Sequence, residues 1–372
     1  MNPTIETFTK LRLFLEVEGI GPGKLFNLLS KFNSLDNLLN ANYQSLIQVD
    51  GISHNIANRL LVKVDSYQIH LQKMKKELDE LDKLNCGWTT YWSDNYPKNL
   101  KNIFSPPILL YYKGELTQSD NNSVAIVGTR KPTHYGVRTA ERFGKELSDN
   151  NITVVSGLAR GIDSAAHRGA LKGNGRTIAV IGSGLDVIYP FENKNLFNEI
   201  KEQGAIISEF IIGTKPDAQN FPKRNRIISG LSLGTLVVET KPSGGAMQTA
   251  SLALDQNREV FAIPGNIGNS QSEGTNNLIQ KGEAKLVTNC EDILVELNLK
   301  IQPEIGNNIP KPSKDLNIFE QNIYDILTSE PKHIDIIAQE TKLNSSDCLI
   351  HLLTLEFRDI VKQLPGKNFV LN

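Results

Sequence analysis

The sequence has 372 residues, with 40 Lys+Arg against 41 Asp+Glu, a formal net charge of −1, 39% hydrophobic and 22% charged residues. That length exceeds what one hydrophobic core serves, so two or three domains are expected, and the neutral balance excludes a wholesale polyanion-binding surface while leaving room for local basic patches. The N-terminal stretch MNPTIETFTKLRLFLEVEG lacks the basic start and apolar core of a signal peptide, and no apolar run reaches the ~18 residues that span a bilayer, so a cytoplasmic protein is expected.

Residues 1–82 carry apolar positions at helical spacing, as in KLRLFLEVEGIGPGKLFNLLSKF, and predict an all-α domain. From 83 to 297 short β-branched runs alternate with amphipathic helices: SVAIVG (123–128), ITVVSG (152–157), TIAVIG (177–182), AIISE (205–209), GTLVVE (234–239), EVFAIPG (259–265) and AKLV (284–287). Continuous apolar runs suit strands buried on both faces. Their alternation with helices predicts βαβ units in an α/β domain with a Rossmann-like, doubly wound, mostly parallel sheet. Residues 298–315, with three prolines, read as a linker. Residues 316–372 show three short helices, the last over Ser345–Phe357 with Asn344 or Ser345 as cap, then a hairpin around Pro365-Gly366; this is a winged-helix pattern.

In an open parallel sheet, ligands bind in the crevice outside the carboxyl ends of the strands. The loops expected there are GTRKPTHYG (128–136), SGLARGID (156–163), GSGLDVIYP (182–190), SEF (208–210), ETKPSGGAMQTA (239–250) and IPGNIGNSQSEGTN (263–276). FPKRNR lies just before the helix that leads into GTLVVE, with Lys223 expected to face outward and Arg226 inward. Glycine admits a ligand to the backbone, and a following helix N-terminus offers free N–H groups to an anion, so these loops predict phosphate binding. The backbone and hydroxyl candidates are Gly128, Gly157, Gly161, Gly182, Ser183, Gly184, Ser243, Gly244 and Gly245. The cationic candidates are Arg130, Lys131, Arg160, Lys223, Arg224 and Arg226, with Lys241 beside them. Tyr189 and Phe221 add aromatic faces on which bases can stack.

Nucleotide fingerprints fail: Val187 stands where GSGLDV needs its third glycine, and no GxxxxGK[ST] exists. Asp163 and His167, spaced i, i+4, read either as an acid–base pair or with Asp163 as a helix cap. Glu209 and Glu239 end strands at the same edge and read as partners of neighbouring loops. Cys86, Cys290 and Cys348 form no CxxC pair, and Cys348 with His351 lacks a second ligand pair. No catalytic residue, metal or cofactor is therefore expected.

VAIVGTRKPTHYG, VVSGLARGIDSAAHRGAL, AVIGSGLDVIYPFEN, ISEF, FPKRNRIISGLS, VVETKPSGGAMQTASLALDQNREVFAIPGNI and SEGTNNLIQKGEAKLV, in that order over roughly residues 90–290, resemble DNA processing protein A, the DprA/Smf family. The resemblance implies a Rossmann-like domain that binds single-stranded DNA, dimerises, protects DNA taken up in natural transformation and loads the recombinase RecA onto it. It implies no enzymatic role. By motif it assigns DNA contact to Arg130, Gly157, Arg160, Gly161, Gly182 to Gly184, Lys223, Arg224 and Arg226. VEGIGPGKLFNLL and VDGISHNIANRLL are similar to helix-hairpin-helix elements of a SAM-like module, with Lys24 within reach of a phosphate; DNA contact and a structural or protein-docking role both stay open there. The C-terminal unit resembles the family's winged helix. The helix in the recognition position holds Asp347 and Glu356 and no Lys or Arg before Arg358, which favours protein contact, or no direct contact, over DNA. A rival resemblance exists: PSGGAMQT, after a strand ending in Glu239, is similar to the glycine-rich signature of phosphoribohydrolases, although Ala246-Met247-Gln248 depart from it.

Overall fold

The computed structural model of the chain describes residues 4–173, 175–299, 316–328, 331–358, 360–364 and 366–371. Two compact units divide it, Met1–Pro303 and Glu304–Asn372. The first opens with six helices, α1 (Ile5–Leu15), α2 (Pro22–Phe32), α3 (Leu35–Leu39), α4 (Tyr43–Leu46), α5 (His54–Asp65) and α6 (Tyr67–Lys83). Thr4, Ser34, Asn42 and Ser53 each accept an amide of the following turn, so four of these starts are capped by the residue types that favour it. Gly19 (φ 94°) and Gly51 (φ 79°) take the left-handed backbone of the turns before α2 and α5. Leu11, Leu25, Leu28, Leu38 and Leu60 fill the helical core. A second face, Phe8, Met74 and Leu81, packs instead on Leu109 and Tyr111 of the sheet that follows.

The sheet has nine strands: β1 (Cys86–Thr90), β2 (Leu109–Gly114), β3 (Ser123–Val127), β4 (Thr153–Ser156), β5 (Thr177–Val180), β6 (Ala205–Ser208), β7 (Gly234–Val237), β8 (Glu259–Ala262) and β9 (Lys285–Leu286), in the spatial order β1-β2-β6-β5-β4-β3-β7-β8-β9. Strands β3 to β9 are parallel to their neighbours in that series, while β1 and β2 add an antiparallel edge. The seven parallel strands lie in the seven expected runs, each shorter than its run. CGWTT and LLYYKG contain no β-branched run of that kind, which is why β1 and β2 are not legible in the pattern.

Helices cover both faces. On one lie α7 (His134–Asp149), α8 (Ile162–Lys172) and α13 (Cys290–Glu296), which bury Phe143, Ile162 and Ile293. On the other lie α10 (Asn220–Leu231), α11 (Gly245–Asp255) and α12 (Glu273–Gln280), which bury Ile227, Ala250 and Leu278. α9 (Lys194–Gln203) packs Phe197 and Ile200 with the Tyr111 group. The chain winds outward from β3 through β4, β5 and β6, then returns to β7 on the other side of β3. The loops after β3 and β7 therefore diverge, which opens a crevice at the topological switch point.

The second unit contains α14 (Ile318–Ile326), β10 (Lys332–His333), α15 (Ile334–Thr341), α16 (Ser345–Phe357), β11 (Val361–Leu364) and β12 (Asn368–Leu371), with strand order β10-β12-β11. This is a winged helix with one more short strand than its sequence suggests. Asn344 caps α16, accepting from the Asp347 amide. Cys348 is buried in the unit's core, and His351 stacks on Phe319 at 5.5 Å, so the two point to different surroundings. Residues 300–315 of the expected linker, and Pro365 of the hairpin, lie outside the described residues. Among the described residues no helix is long and apolar enough to cross a membrane.

Candidate nucleic-acid interface

A cavity of 790 Å³ occupies the switch-point crevice. Gly128 and Arg130 line it from the loop after β3, and Ser243, Gly244 and Gly245 from the loop after β7. Gly244 caps α11 without any side-chain hydrogen bond, so the first amides of this 11-residue helix are open to an anion. The neighbouring helix start is already taken. Glu239, 1% exposed, accepts from the Thr133 amide (2.9 Å) and the Thr133 hydroxyl (2.5 Å) at the cap of α7.

The third wall is α10, and here the sequence expectation needs correction. Helix α10 starts at Asn220, so FPKRNR is its first two turns and not an approach to it. Helical spacing then separates the three cations. Lys223 is exposed, Arg224 is buried (4% exposed) and Arg226 is half-buried. Arg226 is held inward by Glu209 (2.5 and 2.6 Å) and by the Ser105 carbonyl (2.7 Å). The motif groups Arg224 with the loop cations, but its Nη1 donates to the Val180 carbonyl (2.9 Å) inside the fold, and it forms part of the cavity wall. Burial pushes the Arg224 guanidinium down to about 10; Asp163 acts upward and Arg130 downward. Burial raises the Asp163 carboxyl, with Arg224, the Ala159 amide and Arg130 opposing. Burial also takes His167 down to about 3, helped by Arg224 and Arg168. Asp163 and His167 are thus buried companions of Arg224, and Thr177 holds His167 Nδ1 at 2.7 Å.

Arg130 is exposed, with its guanidinium 5.2 Å from the Phe221 ring centroid, and the Tyr189 ring lies 5.9 Å from the same Phe221 ring. Phe221, Arg224, Asn225 and Ile228 all line the cavity. They are spaced i, i+3, i+4, i+7, one face of α10. Asn225 and Gln248 were missed as lining residues; the first becomes legible once the helix is started at Asn220, and the second lies one turn inside α11.

A smaller cavity adjoins, to which Gly157, Arg160 and Pro190 contribute, with Arg130, Ala159, Tyr189, Phe221 and Arg224 shared between the two. A methyl group at Gly157 would stand 1.7 Å from Arg224 Nη1, so only glycine lets that guanidinium pass. Arg160 is exposed and paired with Glu192 through two nitrogens, Nη2 at 2.9 Å and Nε. Apart from Lys241, the remaining candidates line neither cavity. Gly182, Ser183 and Gly184 are buried in a turn where Ser183 donates to the Val187 carbonyl (2.8 Å). Gly161 (φ 81°) shapes the start of α8. Lys131, Lys223 and Lys241 are exposed, and of these only Lys241 lines the large cavity.

Comparison with known proteins gives three family matches: DNA recombination-mediator protein A over residues 87–298, the DprA winged helix domain over 310–367, and a SAM-like helix-hairpin-helix tandem over 11–65. A protein Smf from Synechocystis sp. is 36% identical over 95% of this chain and 96% of its own. The crystal structure of DNA processing protein A from Streptococcus pneumoniae aligns with a TM-score of 0.68 at 35% identity, covering 80% of this chain and 99% of that one. DNA processing protein A from Helicobacter pylori, whose structure concerns its single-stranded DNA binding mode, aligns with a TM-score of 0.51 at 32% identity over 57% of this chain and 95% of that one.

Proposed function

Because the chain belongs to the DNA recombination-mediator protein A (DprA/Smf) family, we propose that it binds single-stranded DNA in the β3–β7 crevice without reading its sequence, protects incoming DNA in transformation and passes it to the recombinase RecA. The observation that carries this reading is the gathering, in one cavity, of the uncapped start of α11, the Arg130 and Arg224 guanidiniums and the Tyr189 and Phe221 rings. Amides and guanidiniums hold a phosphate of any nucleotide, and a ring accepts any base. The site residues proposed to touch DNA are Arg130, Ser243, Gly244 and Gly245 in the large cavity and Arg160 beside it, with Lys131, Lys223 and Lys241 adding charge at the rim. Arg224 is proposed to act from the wall. The proposed functional parts are a helical module (1–82), a DNA-binding and dimerising sheet domain (83–297) and a winged helix (316–372), working in the cytoplasm. The reading assigns no reaction: the glutamate that a phosphoribohydrolase needs free, Glu239, has both oxygens on Thr133.

Titration with oligo(dT) tests this. If ~4–6 phosphates are neutralised, log K falls against log[salt] with a slope of roughly −3 to −4. Single strands are preferred over duplex, and Arg130→Ala weakens binding. A slope near zero rejects the mechanism. Failure to speed RecA assembly on the bound strand removes the loading step alone, and release of adenine from AMP would revive the enzymatic reading.

A further inference from the structure

We propose that the segment Tyr189–Lys194 forms an outer nucleotide subsite, in which a base of the single strand stacks on Phe191 and the phosphates beside it engage Lys194 and Arg160. This rests on the single-strand reading above and extends it beyond the cavity. Phe191 is 75% exposed, a large ring left in water. The Lys194 ammonium lies 5.8 Å from the ring centroid, so ring and cation present one combined surface. On one side of Phe191, Pro190 and Tyr189 line the smaller cavity, and Tyr189 continues to Phe221 at 5.9 Å. On its other side, Glu192 reaches Arg160, which lines the same cavity.

The chemistry of that pair indicates the ligand. Glu192 offers Arg160 a planar pair of oxygens, the geometry in which a guanidinium also takes phosphate. Both partners are more than half exposed, so the pair is weakly held and a phosphate can replace the carboxylate. The backbone of the segment is anchored: buried Asn193 donates through Nδ2 to the Leu158 carbonyl and the Ser164 hydroxyl, each at 2.9 Å. Leu158 itself holds a left-handed φ of 56° in the turn after β4, so the outer subsite is fastened to the loop that carries Arg160. A ring on a fixed backbone, bordered by two cations and continuous with an aromatic-lined cavity, fits a second base better than an apolar protein surface.

The test uses the full chain and two labelled oligo(dT) probes, a short one that fills the cavity and a long one that runs past it, read by fluorescence anisotropy. Phe191→Ala should weaken the long probe about fivefold or more and leave the short one unchanged. Phe191→Trp should keep the long-probe affinity and show fluorescence quenching on binding. Glu192→Gln, which frees Arg160, should tighten the long probe about twofold or more. Equal affinity of wild type and Phe191→Ala for the long probe, with the short probe still bound, overturns the subsite and leaves the crevice reading standing. Binding of neither probe by wild type overturns both.

Discussion

Arg224, Asp163 and His167 place three buried ionisable groups at one wall of the cavity, which the first two line. The Thr177 hydroxyl donates to the Val154 carbonyl (2.7 Å), so its oxygen must accept from His167, which fixes the proton on Nδ1. Among the described residues Nε2 has no hydrogen-bond partner and is left as a buried lone pair. Burial and the charges of Arg224 and Arg168 keep it unprotonated down to about 3, against 6.5 for a free imidazole. Between those values the unfolded chain binds the extra proton, so stability is complete above pH 6.5 and falls as pH drops toward 3. The loss from this one group is about 2 kcal/mol between pH 7 and pH 5. His167→Gln retains an amide donor and removes the titration. Urea midpoints should therefore fall more steeply from pH 7 to pH 5 in wild type than in the variant; parallel slopes would refute the assignment.

Helix α10 shows where the sequence was legible and where it was not. The parallel strands and the winding order follow from apolar runs that only a doubly covered sheet can bury, and the loops that carry Gly128, Arg130 and Gly244 follow from that order. The start of α10 does not. Gln219 provides no side-chain cap, and Pro222 looks like a boundary. Yet proline is tolerated in a first helical turn, where its missing N–H has no intrahelical partner. Once the helix is extended, Phe221 and Asn225 face the cavity, Lys223 faces water and Arg226 meets Glu209. This sorting predicts different signatures. Phe221→Ala should weaken oligo(dT) by about 1–3 kcal/mol with the salt slope unchanged, because it removes stacking. Lys223→Ala should lower the magnitude of the slope by about 0.7, because it removes one phosphate's counterion release. Salt titrations of both variants that show the reverse pattern would mean that the helix is turned the other way toward DNA.

At the scale of the whole molecule, the change from helical to strand spacing near residue 83 is visible in the sequence, but the packing across it is not. Phe8 of α1 lies 5.0 Å from the Trp88 ring of β1 and 6.3 Å from the Tyr111 ring of β2, and is fully buried. Glu77 of α6 accepts from the Tyr111 hydroxyl (3.1 Å) and sits 3.5 Å from Arg12 Nε, with its carboxyl raised by burial against the pull of Arg12 and Tyr111. The antiparallel edge formed by β1 and β2 is thus finished by helices from the preceding region, and the contacts come from residues more than 20 positions apart, beyond any periodicity window. Such a shared core should make the helical region and the sheet unfold together. Phe8→Ala, which empties a fully buried ring site, should cost about 3–5 kcal/mol. That cost should appear as one transition shifted to lower denaturant, followed in parallel by far-ultraviolet circular dichroism and by the fluorescence of Trp88 and Trp92. A chain lacking residues 1–83 should bind a hydrophobic dye through the uncovered Leu109 and Tyr111 face and lose oligo(dT) binding as the sheet loosens, although it keeps every residue that lines the cavity. Two separate transitions in Phe8→Ala, the helical region melting first and the sheet unmoved, would show that the sheet carries its edge without the helices.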